Sequence, residues 1–104
     1  LDGVNSSIST LPEIKKAVSN IDVLMDGGIS SGQDILKAIA MGAEGVMIGR
    51  SFVYGLSAKG KKGVIKALEI LNKELDMTMA LCGRRDINDV GRDIIKDCPF
   101  FEKN

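Results

Sequence analysis

Two short apolar runs, Ile21–Met25 and Gly45–Ile48, flank a segment with the spacing of one amphipathic helix. This is the feature that most constrains the fold. Strand, loop, helix and strand in so short a span make a βαβ unit, and such a crossover forces the two strands to run parallel. The first run carries no strict polar alternation apart from Asp22, as expected of a strand covered on both faces. Two parallel strands with open edges make a marginal sheet in water. The chain therefore reads as a piece of a (β/α) barrel or sheet whose further strands come from other sequence or another chain.

The remaining elements follow from periodicity and end signals. Residues 1–9 are polar and turn-rich, and they start abruptly, as the interior of a longer chain would. Thr10 and Glu13 have capping-box spacing, Pro12 fits a first turn, and Leu11, Ile14, Ala17 and Val18 repeat at helical intervals, so a helix is expected over 10–19. The strands are placed at 21–25 and 45–49. Between them a helix over 31–41 is capped by Ser31, buries Ile35, Leu36, Ile39 and Ala40, uses Ala38 and Ala43 for close approach, and stops at Gly42. Arg50–Ser57 is read as a connector carrying Phe52, Tyr54 and Gly55, with the two aromatic residues packing on the last helix. That helix spans 60–82, its stripe being Val64, Leu68, Leu71, Leu75 and Met79, and Gly83 ends it. Its lysine-rich start reads as a solvated face. In the tail, 86–104, Asp86–Val90 suits a short helix, and Cys98-Pro99-Phe100-Phe101 needs a surface to pack on.

Composition excludes several function classes. The formal net charge is zero, with 14 basic and 14 acidic residues, so there is no chain-wide field to attract nucleic acid. No apolar run approaches the roughly 20 residues of a membrane span. No signal-peptide pattern opens the sequence, which points to a cytoplasmic setting. Histidine is absent, so neither an imidazole base nor a His-ligated metal lies within these 104 residues. The two cysteines, Cys82 and Cys98, lack metal-ligand spacing and are read as reduced thiols, with Cys82 a small buried apolar residue.

The chemistry lies where each strand stops. After the first come Asp26, Gly27, Gly28, Ile29 and Ser30; after the second come Gly49 and Arg50. Phosphate needs several converging N–H donors and favours a cation. Glycine lets the backbone approach closely, the helix beginning near Ser31 offers N–H groups and a positive dipole end, and Arg50 can grip two phosphate oxygens. Loops after neighbouring late strands of a (β/α)8 barrel are a frequent phosphate site. Either turn alone is equally well a structural turn. Asp26 has two readings as well: it accepts loop N–H bonds and fixes the turn, or it bonds a cofactor hydroxyl.

The stretches DGGISSGQDILKAIAMGAEGVMIGRSFVYGL and GVIKALEILNKELDMTMALCG, with the opening LDGVNSSISTLPEI, resemble the C-terminal part of FMN-dependent α-hydroxy-acid oxidising enzymes, a family that includes glycolate oxidase, lactate oxidase and flavin-linked lactate dehydrogenases. The resemblance runs to about Ile87. It implies an α/β fold, the C-terminal portion of a TIM (β/α)8 barrel comprising two parallel strands plus helices. It implies FMN as cofactor, small 2-hydroxy acids as substrates of the full barrel, and a homo-oligomer or complementing chain as partner. Asp26 through Ser30 and Gly49-Arg50 are then expected to line the ribityl-phosphate site. One departure stands out, since the family usually has a phosphate-contacting arginine where this chain has Ser30. The family's catalytic histidine lies in a motif upstream of the segment matching Leu1, so no catalytic residue is expected here and the isolated chain is expected to be inactive. Two alternatives remain: an inosine-monophosphate-dehydrogenase-like barrel, which also holds a nucleotide phosphate on a DGGI loop, and a non-catalytic truncated or split product that folds by association.

Overall fold

A computed structural model describes residues 3–96 of the chain. Asp97 onward, including Cys98-Pro99-Phe100-Phe101 of the expected apolar tail, lies outside the described residues. The order is α1 (Ser7–Ala17), β1 (Leu24–Met25), α2 (Gly32–Ala40), β2 (Gly45–Val46), α3 (Arg50–Lys59) and α4 (Lys61–Leu81). Two 3-10 turns follow, Ile87–Asp89 and Arg92–Ile94.

The strands pair in parallel, Leu24 opposite Gly45 and Met25 opposite Val46. Backbone bonds from Glu44 N–H to Val23 O and from Met47 N–H to Met25 O extend the contact by a residue at each end. The ladder is shorter than the 21–25 and 45–49 expected from sequence. Ile21 and Leu24 are 68% and 60% exposed, and Met47 is 53% exposed. Helices cover one face only; the other has no partner among the described residues, so the two-sided apolar composition is not matched by two-sided burial.

The core sits between α1, the sheet and α2. Leu11, Met25, Ile29, Ala38, Met41 and Ala43 are buried together, with Ile8, Val23, Ile35, Val46 and Ile95 packed around them. Helix α2 follows the sequence reading closely. Ser31 Oγ accepts the Asp34 N–H, and Gly42, at φ 110°, turns the chain out of the helix.

Three expectations are corrected. Helix α1 begins at Ser7 rather than near Thr10, because Ser6 is the cap: its Oγ accepts the Ser9 N–H. Pro12 consequently lies inside the helix, and Thr10 spends its hydroxyl on the Ser7 carbonyl. Second, the connector at 50–57 is helical. α3 spans ten residues and turns into α4 at Gly60, whose φ of 59° suits glycine. Third, the long-helix stripe is only partly core. Leu71 and Met79 are buried, whereas Leu68 is 51% exposed and Cys82, the helix C-cap, is exposed rather than buried. Phe52, 48% exposed, borders a small hollow with Val64, Ala67, Leu68 and Leu71, while Tyr54 is 68% exposed.

Candidate functional site

Parallel strands deliver both of their following loops to the same edge of the sheet. All seven residues singled out in the sequence, Asp26, Gly27, Gly28, Ile29, Ser30, Gly49 and Arg50, line one hollow of about 420 Å³ there. Met47 completes the lining, and no sequence motif marks it. Its position just before the glycine turn is the only signal that could have done so.

The first loop is built by its glycines and two carboxylates. Gly27 and Gly28 have φ of 98° and 76°, the left-handed region that side chains avoid. A Cβ on Gly27 would also come within 3.1 Å of Ser7 Oγ at the start of α1, whereas one on Gly28 would stand in open space. Asp26 Oδ1 accepts the Gly27 N–H at 2.9 Å, the bond that its structural reading requires. Ile29 is buried and anchors the loop to the core.

Ser30 faces Asp34. Its N–H and its hydroxyl both donate to Asp34 Oδ2, at 3.0 and 3.1 Å. Partial burial pushes the Asp34 carboxyl upward, but the bonds from Ser30 and Ser31 and the charge of Lys37 outweigh it and leave it below its ordinary value.

The sequence reading expected the open N–H groups at the start of α2. The structure corrects this. The Gly32 N–H donates to Glu74 Oε1 at 3.2 Å, and the Asp34 N–H goes to Ser31. At this rim α3 starts without a side-chain cap. Its first ladder bond runs from Val53 N–H to Gly49 O, so the N–H groups of Arg50, Ser51 and Phe52 precede the ladder, and no acidic residue sits in that turn. Arg50 is exposed on the same hollow. The uncapped helix end, the guanidinium and the adjacent glycine turns form a donor set suited to a phosphate. Gly49 adds open room, since a Cβ there would meet nothing within 4 Å.

A family model described as FMN-dependent dehydrogenase matches residues 1–97. The chain belongs to this family. Its family has FMN as cofactor and comprises α-hydroxy-acid oxidases and dehydrogenases. This chain is 48% identical over 98 residues to a 2-hydroxyacid oxidase of Dictyostelium discoideum, covering 93% of this chain and 25% of that protein. It is 45% identical over 96 residues to an L-lactate dehydrogenase of Caulobacter sp. (strain K31), covering 91% of this chain and 25% of that protein. A mandelate oxidase mutant solved with a monooxide FMN adduct superimposes with a TM-score of 0.81 at 44% identity, over 86% of this chain and 29% of that one. The chain thus spans about a quarter of the length of the curated relatives it matches. No helix among the described residues is long and apolar enough to cross a membrane, and no cluster of His, Cys, Asp or Glu there could hold a metal ion.

Proposed function

We propose that this FMN-dependent dehydrogenase segment forms the phosphate end of an FMN site, within an enzyme that oxidises small 2-hydroxy acids to 2-oxo acids. The observation that carries the reading is the convergence of Asp26–Ser30 and Gly49–Arg50 on one hollow beside the uncapped start of α3. Arg50 binds phosphate oxygens through its guanidinium, and the α3 N–H groups meet the remaining negative charge. Gly28 gives the ribityl chain room to pass close to the backbone. Asp26, already holding Gly27 N–H through Oδ1, offers its other oxygen to a cofactor hydroxyl.

Bound FMN supplies the electron acceptor, while the protein orients it and shapes its electrostatics. The chain has no histidine to act as base, so the group that removes a substrate proton comes from elsewhere in the barrel. In this reading the two strands are the last βα units of a TIM (β/α)8 barrel, and the exposed Leu24 and Met47 face the part of the core built by other strands. Those strands come from further sequence or a complementing chain, and the complete enzyme is a homo-oligomer.

Amide NMR of the chain during titration with inorganic phosphate and then FMN tests the placement. Saturable shifts at Gly28, Arg50 and Ser51 are expected. Titration that leaves these three amides still, while others respond, would overturn it. The isolated chain with added FMN is expected to show no turnover of lactate or glycolate.

A further inference from the structure

Helix α2 begins at the same rim as α3, and its dipole would attract the same anion. Two helix N-termini beside one hollow leave the position of a phosphate ambiguous. The molecule resolves this with a carboxylate from far along the chain. Glu74, in the third turn from the end of α4, places Oε1 3.2 Å from the Gly32 N–H, across 42 residues of sequence. The contact is part-buried. It is held by close helix packing, because Gly32 is buried and any Cβ on it would overlap the backbone of Leu75 and the Glu74 side chain.

We infer that Glu74 is a positioning residue for the phosphate site: it plugs the start of α2 with an internal carboxylate and so directs an incoming anion to α3 and Arg50. The inference rests on the phosphate reading given above and deepens it.

Three features support the role. Glu74 is an anion where a free helix end would bind one, so it satisfies the donor and repels a competitor together. Asp34 does the same for the Ser30 N–H one residue before the cap. The two carboxylates make the α2 side of the rim negative, while the α3 side carries Arg50 and no acidic residue in its first turn. A phosphate at this rim therefore meets attraction on one side and repulsion on the other. Glu74 also ties the start of α2 to α4, so the helix that the first loop leads into is held in place before any ligand arrives.

The test is phosphate titration of the chain followed by amide NMR, in the parent and in Glu74→Ala and Glu74→Gln. In the parent, shifts are expected at Gly28, Arg50 and Ser51 and none at Gly32. In Glu74→Ala the phosphate response should spread to Gly32. Glu74→Gln keeps an oxygen to accept the Gly32 N–H but loses the charge. It should leave Gly32 silent and bind phosphate about two- to threefold more tightly, the effect of removing one nearby screened charge. It also serves where Glu74→Ala does not fold. A Gly32 response in the parent, a silent Gly32 in a folded Glu74→Ala, or weaker phosphate binding by Glu74→Gln would each overturn the role. Absent shifts at Gly28 and Arg50 in the parent would instead overturn the phosphate site itself, so the two failures are distinguishable.

Discussion

Gly55 of α3 and Gly63 of α4 meet backbone to backbone. A Cβ built on Gly55 would lie 2.6 Å from the Gly63 carbonyl oxygen, and one on Gly63 would overlap the Gly55 carbonyl. This contact lets α3 fold back against α4 immediately after the turn at Gly60, which fixes where α3 points its N-terminus. The start of α3, where phosphate binding is proposed, is thus set partly by a glycine pair well away from it.

Replacing Gly63 by alanine should force the two helices apart. Overpacking of this kind costs roughly 1–3 kcal/mol, with several degrees lost from Tm. Thermal unfolding followed by circular dichroism checks it. A Gly63→Ala protein with unchanged Tm would mean that the helices do not touch as described.

Arg50→Ala should weaken FMN binding by about tenfold or more, the loss of a charge-assisted contact, with stability changed by less than about 0.5 kcal/mol because the side chain is exposed. Flavin titration of the complete enzyme, read beside its Tm, separates the two effects.

Ser30→Arg should tighten FMN binding by about five- to tenfold by adding a second cation at the rim. It also removes the hydroxyl bond to Asp34, so α2 should lose a little stability. Flavin fluorescence quenching reads the first effect. An unchanged Kd would mean that residue 30 does not face the phosphate.

Acid should destabilise the fold through two carboxylates. Glu44 lies below its ordinary value chiefly because Lys15 bonds it, at 2.5 Å, and because the Val23 N–H adds a second bond at 2.6 Å. Asp34 is also held low, by Ser30 and Ser31 against the opposing effect of burial. Folding lowers both values, so the unfolded chain binds more protons as pH falls. Their stabilisation is complete above the ordinary values of 4.5 and 3.8, and it is lost as pH drops through the lower folded values. Glu44→Gln should lower Tm in the neutral region, where the parent has this stabilisation, and converge on the parent at low pH, so the acid limb of a Tm-against-pH curve flattens.

Ser31→Ala removes the cap of α2 and should cost about 1 kcal/mol. Urea unfolding measures it, and the loss should appear as a lower midpoint with unchanged slope.

Local chemistry was legible in the sequence. Ser31 and Gly42 bracket α2, Gly27 and Gly28 make the left-handed turn, and parallel strands bring both loops to one edge, because each depends only on neighbouring residues or on the crossover itself. Membership of the FMN-dependent family was legible too, through DGGISSGQD and TMALCG. What α3 would be was not. RSFVYGLSAK has weak amphipathic spacing and an internal glycine, and it is helical because Gly55 and Gly63 allow it to lie against α4. The assignment of donors was also invisible. Glu74 reaches Gly32 across 42 residues, so only the packed helices decide that α2 starts closed and α3 starts open. Sequence determined which groups stand at the strand tips; tertiary packing decided which of them remain free for a ligand, since a hydrogen-bond donor can be committed by a partner at any distance along the chain.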